Sequence, residues 1–416
     1  MAKKRASKKA ARKKVVKKKK SSRLAKKKKP TKPKKKPLKK SQARKKVRKP
    51  SKDGPAKPKP SKRLSPQQRI QQIDKELLKL VNERSKVTSQ FIESLGDPQK
   101  GIYDPSADDE LWRKLESQNP GPVSSETVRG IFRSILSSAR RRVKTQRVAF
   151  LGPEFSWSHM AGIERFGEST DLWPVNTIAS VFEEVNRGHA NYGVVPIENS
   201  MDGRIIDTLQ MFQKLPLLIC GEILLSVHHN LMARCPRSSV TEIYAKPEAI
   251  SQCRDWLSKN MPQARVYPVT STLTAAELAR DKEGVGAIAG SQAAVEYQLE
   301  IIADEIEDNP RSVTRFAIIG DEICEPTDKD RTAILLQTLH KPGKLFDALM
   351  TFKKNKINLS WIESFPMRGP EEGYLFFMEF DGHVSDNRTR RVFTDLEKMA
   401  IRLNILGSYP VSEIRN

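Results

Sequence analysis

Three short segments concentrate side chains able to grip anions and hold protons. The first, Leu151-Gly152-Pro153-Glu154-Phe155-Ser156-Trp157-Ser158-His159, reads as a strand that turns into a helix near Ser158. The second, Gly193-Val194-Val195-Pro196-Ile197-Glu198-Asn199-Ser200, is an apolar run ending in a polar triplet. The third, Asn309-Pro310-Arg311-Ser312-Val313-Thr314-Arg315-Phe316, is a turn running straight into a strand. Amides and hydroxyls at a helix start make an anion pocket. An arginine such as Arg315 adds a two-pronged grip on a carboxylate. Taken singly, each segment also has an ordinary reading: Ser158 as a helix N-cap, Glu198-Asn199 as a turn, Arg315 as a surface ion pair.

The elements that must position these residues lie in residues 146–322, where short apolar strands alternate with helices as in parallel-sheet α/β folds. Expected strands are Arg147–Leu151, Tyr192–Ile197, Leu217–Val227, Glu242–Ala245, Val285–Ala289 and Arg315–Ile319. Expected helices are Ser158–Phe166, Ile178–Arg187, Pro247–Lys259 and Ser271–Lys282. Ligands in open α/β sheets bind at the carboxyl ends of strands. The six histidines are scattered, His228-His229 are adjacent rather than at ligand spacing, and nucleotide-binding glycine fingerprints are absent. Neither a metal nor a cofactor is expected. The four cysteines form no Cys-x-x-Cys pair, which argues against zinc ribbons and disulfide scaffolds and for a reducing cytoplasm.

In this order and spacing the three segments resemble prephenate dehydratase. Pro196-Ile197-Glu198-Asn199-Ser200 and Thr314-Arg315-Phe316 carry the resemblance, with Ile306-Glu307-Asp308 just before the latter. A weaker element is Ala245-Lys246-Pro247-Glu248 with Gln252-Cys253. Phe155-Ser156-Trp157 stand where the family usually has Gly-Thr-Phe, and Ala245-Lys246 replace a usual Ser-His. The resemblance implies two α/β lobes around a cleft that converts prephenate to phenylpyruvate by loss of carbon dioxide and water. It implies catalytic roles for Thr314, Arg315 and Asn199, and substrate contacts from Ser158, Glu198, Ser200, Gln252 and Phe316. A threonine is too weak an acid to surrender its proton, so Thr314 is expected to hydrogen-bond the leaving hydroxyl while water or a neighbour protonates it. Arg315 and Ser158 are expected to bind carboxylate, Asn199, Ser200 and Gln252 to orient the ring, and Glu198 to hold its loop.

Residues 64–145 read as one long helix, one short and one long. Ile70, Ile73, Leu77, Leu80, Val81, Val87, Phe91 and Leu95 recur at helical spacing up to Gly96-Asp97-Pro98. Such a trio cannot close a core alone, so an intertwined dimer is expected. Ile73-Asp74-Lys75-Glu76-Leu77-Leu78, Asn82-Glu83-Arg84 and Tyr103-Asp104-Pro105 resemble the all-helical chorismate mutases. Arg84 falls on a family arginine, but Gln67, Leu95, Ala107-Asp108, Ala139 and Val143 stand where that family has its other anchors. The resemblance implies a mutase remnant kept for dimerisation or regulation. The alternative is a bifunctional enzyme with both activities alive, recruiting Lys86, Arg113 or Arg140.

Residues 329–416 follow the β-α-β-β-α-β order of a ferredoxin-like fold, with a last helix Asn387–Leu403 and last strand Ile405–Val411. Lys341-Pro342-Gly343 and Ile362-Glu363-Ser364-Phe365-Pro366 resemble the ACT amino-acid-sensing domain. That resemblance implies L-phenylalanine as effector, bound through Gly343, Leu345, Glu363 and Ser364. Residues 1–63 hold 33 Lys or Arg and one acid, Asp53, whereas the whole chain has a net charge of +27, so the rest is mildly acidic. This tail is too poor in apolar residues to fold and is expected to be disordered. It suits loose, sequence-blind attachment to nucleic acid or another polyanion. A third class of protein, a polyanion binder on a retained amino-acid-sensing scaffold, remains open at this point. No apolar run is long enough to span a bilayer. The expected chain is thus multidomain: disordered basic tail, all-α module, two-lobed α/β dehydratase core and ferredoxin-like α+β domain, assembled as a homodimer or larger.

Overall fold

The computed structural model describes residues 64–94, 102–201, 203–367 and 373–415; the basic tail and the turn at Gly96 lie outside them. Three helices come first: Pro66–Ser94, Pro105–Gln118 and Ser125–Val143. The second is capped by the Asp104 carboxylate, which accepts from the Ser106 and Ala107 amides, and the third by Ser124, which accepts from the Thr127 amide. The first helix has Ile92 as its buried residue and leaves Ile70, Ile73, Leu77, Leu80, Val87 and Phe91 exposed. Its apolar stripe is therefore uncovered among the described residues.

The dehydratase-like region is two mixed sheets rather than the parallel sheet expected. In the first, neighbours run in the order Ile414–Arg415, Leu218–Ser226, Val313–Gly320, Tyr192–Asn199, Arg147–Leu151 and Asp171–Val175, with Gly203–Arg204 paired to Tyr192–Asn199. The Thr314 strand runs antiparallel to both its neighbours, pairing Thr314 with Asn199 and Arg315 with Glu198. The second sheet, Glu300–Ala303, Asn230–Ala233, Val285–Ala289, Glu242–Ala245 and Arg265–Pro268, is an insertion between Ser226 and Val313. Six of the strands in these two sheets were not foreseen: Asp171–Val175, Gly203–Arg204, Asn230–Ala233, Arg265–Pro268, Glu300–Ala303 and Ile414–Arg415. They are two to five residues long, so neighbours rather than local pattern decide them.

A third, antiparallel sheet of strands Leu359–Met367, Gly373–Asp381, Asp330–Leu339 and Ala400–Pro410 forms the C-terminal module with helices Lys344–Lys354 and Asn387–Glu397. The last helix stops at Glu397, not Leu403: Leu403 and Ile405 are claimed by pairing with Leu336 and Ile334. This sheet packs its face directly on the first. Leu335, Phe377, Trp361 and Tyr409 share a core with Ala317, Ile319, Val195 and Ile197. Gly407, at φ +143°, marks the closest approach, since a side chain there would meet the Ile219 carbonyl oxygen at 2.2 Å. The opposite face of the first sheet is covered by helix Trp157–Phe166, with Phe150, Ala161, Val194 and Phe316 in one cluster.

Candidate active site

Strand alternation divides the Thr314-Arg315-Phe316 run between those two faces. Thr314 and Phe316 lie on the face of helix Trp157–Phe166, and Arg315 on the face of the C-terminal module. The cross-strand register sets Thr314 opposite Asn199, whose Nδ2 donates to Thr314 Oγ1 at 2.9 Å. The Asn199 carbonyl oxygen meanwhile accepts from the Met201 amide at 2.8 Å, so both ends of its side-chain amide are held. Ser200 Oγ accepts from the Val313 amide at 3.0 Å and pins the turn to the Thr314 strand.

Ser158 follows the carboxyl end of strand Arg147–Leu151, which runs parallel to the Asn199 strand, and is buried on the second residue of its helix. The N-cap is Ser156, whose Oγ accepts from the His159 amide at 3.3 Å. That frees Ser158 from capping, and its hydroxyl has no hydrogen bond to a described residue. Phe155 takes a left-handed backbone (φ 61°), the conformation glycine adopts freely, where the dehydratase pattern has glycine.

The second lobe meets this helix start. Trp157 meets the His229 ring at 6.3 Å, and a side chain at Gly290 would touch Trp157 at 3.6 Å. Gln252 is buried there, its Oε1 accepting from His229 Nε2 at 2.8 Å. Glu307 accepts from the His229 amide and pairs with His228 Nδ1, both at 2.8 Å. Burial lowers the His229 pKa below the usual histidine value, so the imidazole is neutral at physiological pH. His229, Glu307 and Trp157 were missed as site residues. The His-His pair read as a failed metal motif, and nothing local shows that Glu307 turns back to hold it. Asp308 caps the next helix, accepting from the Asp255 and Trp256 amides at 3.0 and 2.9 Å.

Four sequence expectations need correction. Arg315 does not face the cleft. Its Nε donates to Glu222 at 2.6 Å, its Nη atoms to Glu379 at 2.7 and 2.8 Å, and one Nη to Tyr409 at 3.2 Å. Burial works against this guanidinium's charge, but Glu379 and Glu222 outweigh it and raise its pKa well above normal. Glu198, half-buried, lies on that same face, 4.0 Å from Arg315. Phe316 is a core side chain, 1% exposed, rather than a wall of the cleft. Glu363 likewise points away from the cavity that its neighbour Ser364 enters. It pairs with Arg204 at 2.5 Å, while its neighbour Ser364 lines a cavity of about 310 Å³ with Leu345, Lys344, Tyr374 and Phe376. Gly343 caps the adjoining helix in a left-handed conformation, φ +84°.

In the helical module Arg140 makes a two-pronged pair with Asp108 at 2.7 and 3.0 Å, both buried. Arg84 stacks on Phe132 at 5.5 Å, with its Nη1 buried and unpartnered among the described residues. Lys86 and Arg113 are exposed. No described group of His, Cys, Asp and Glu is arranged to hold a metal ion. No described helix is long and apolar enough to cross a membrane.

Family comparisons agree with this division of the chain. A model of chorismate mutase type II matches residues 67–144, and one of prephenate dehydratase residues 148–323. A bifunctional chorismate mutase/prephenate dehydratase from Aquifex aeolicus is 37% identical over 82% of this chain and 96% of its own. The chain belongs to the prephenate dehydratase family. It is a prephenate dehydratase carrying a chorismate mutase type II domain. The Pseudomonas aeruginosa bifunctional enzyme is 35% identical over 82% of this chain and 96% of its own. The Arthrobacter aurescens prephenate dehydratase, solved with L-Phe, is 30% identical, with a TM-score of 0.60 over 64% of this chain and 90% of its own.

Proposed function

We propose that Thr314 and Asn199 form the reacting centre of the dehydratase. The side-chain pair carries this reading: a hydroxyl and an amide locked together at 2.9 Å across two central strands. In the reaction the electron pair of the breaking carboxylate bond enters the ring and expels the hydroxyl from the opposite carbon. That oxygen takes a proton from solvent and leaves as water, and the carboxylate leaves as carbon dioxide. Thr314 Oγ1 accepts its bond from Asn199, so its own proton is free to point at the departing oxygen. Ser158, at a helix start, suits a carboxylate, and Gln252 with neutral His229 suits the ring or hydroxyl. Ser200 and Glu198 hold the turn, and Arg315 supports the strand from behind.

The C-terminal module is read as an ACT domain that binds L-phenylalanine in the cavity beside Ser364 and Leu345. The exposed stripe of helix Pro66–Ser94 suits a second copy of the chain, giving a homodimer. The mutase domain is read as a remnant, because Asp108 already neutralises Arg140. The bifunctional reading has its own support in the names of the relatives and in the unpartnered Arg84 Nη1. For residues 1–63, charge alone supports salt-sensitive attachment to a polyanion. Assaying phenylpyruvate from prephenate and from chorismate separately, with and without phenylalanine, tests these readings together. Product from prephenate alone, suppressed by phenylalanine, is expected. Product from chorismate overturns the remnant reading, and none from prephenate overturns the reacting centre.

A further inference from the structure

The strand that carries Ser364 into the effector cavity also carries Trp361 on its other face, against the dehydratase sheet. Trp361 is 7% exposed and lies between two guanidiniums: Arg204 at 5.2 Å from its ring centre and Arg315 at 5.7 Å. Each arginine is one step from the reacting pair. Arg315 follows Thr314, and Arg204 belongs to the two-residue strand that pairs Gly203 with Asn199 and Arg204 with Glu198. Arg204 also reaches Glu363, two residues beyond Trp361.

We propose that Trp361 is a positioning residue, clasped by Arg204 and Arg315, that links the Ser364 strand to the Asn199–Thr314 pair. A shift of that strand when its cavity fills moves the indole, and the indole moves two guanidiniums whose backbones are contiguous with Thr314 and Asn199. Regulation in this chain therefore runs through one aromatic ring. This rests on reading the Ser364 cavity as the phenylalanine site. Coupling of this kind is reciprocal, so it can be measured as binding alone.

The test uses the full chain with Arg204→Gln, at a half-exposed position, and Trp361→Leu. Phenylalanine affinity is measured by calorimetry with and without phenylpyruvate, which occupies the cleft without reacting. In the unaltered chain phenylpyruvate should change that affinity by about fivefold or more. In both variants the change should fall to near unity, while phenylalanine alone binds about as before and prephenate turnover without phenylalanine stays within about twofold. An unchanged effect of phenylpyruvate in Arg204→Gln overturns the proposal, whether or not Trp361→Leu folds. So does a loss of phenylalanine affinity equal to the loss of inhibition, which would make Arg204 only a cavity residue. Failure of the unaltered chain to bind phenylalanine sinks the effector reading first, and the clasp with it.

Discussion

The two faces of the Val313–Gly320 strand put neighbouring residues to opposite uses. On one face Arg315 is saturated: Glu222, Glu379 and Tyr409 take its donors, and Arg331 adds a second guanidinium to Glu222 at 2.9 Å. On the other, Thr314 accepts one bond from Asn199 and keeps a proton to give, and Ser158 has no described partner. A polar group whose bonds are all spent inside the chain maintains a structure; one with a bond in reserve can meet a ligand. The same contrast separates the cleft from the helical module, where Arg140 is spent on Asp108.

Arg315→Met should give the largest effect. Buried Glu379 would lose its counter-charge and Glu222 one of its two, at a cost of about 3–5 kcal/mol, read as a lower denaturant midpoint. Retained stability would break the contrast between the faces. Thr314→Ala should do the reverse, losing about 10²–10³-fold in turnover of prephenate for about 1 kcal/mol of stability. Chorismate consumption, if any, should be untouched by it. Leu77→Glu, in the exposed stripe, should lower the oligomeric state seen in sedimentation while each chain keeps its dehydratase turnover; an unchanged particle size removes the stripe from the interface. The smallest effect concerns acid. The unfolded chain takes a proton near pH 6.5 that buried His229 refuses, so His229 favours folding above that pH. Its contribution is lost as pH falls from about 6.5 through its lowered folded value. His229→Gln should flatten stability over that range, and an unaltered slope would show that folding leaves the imidazole's proton affinity unchanged.

The motif residues were legible because their chemistry is local: Pro-Ile-Glu-Asn-Ser ends a strand and Thr-Arg-Phe begins one. Period-two alternation already separates Thr314 from Arg315, but which face holds the cleft depends on a sheet that begins only at Asp330. Arg315 therefore read as a substrate grip when its partners are Glu222 and Glu379, 93 and 64 residues away. His229 and Glu307, 78 residues apart, were hidden for the same reason. The apolar stripe of the first helix is legible as a period, yet nothing among the described residues covers it.

The return of the chain after the C-terminal module has a mechanical consequence. Ile414–Arg415 adds a strand beside Leu224–Leu225, and Ser412 donates to the Glu222 carboxylate at 2.9 Å and to its carbonyl at 2.6 Å. The module is thus stitched to the catalytic sheet where the backbone enters and again where it leaves. A flap sewn along both margins does not swing. Motion across this seam is confined to slip between packed faces, and removing the Ser412 to Arg415 stitch should loosen it.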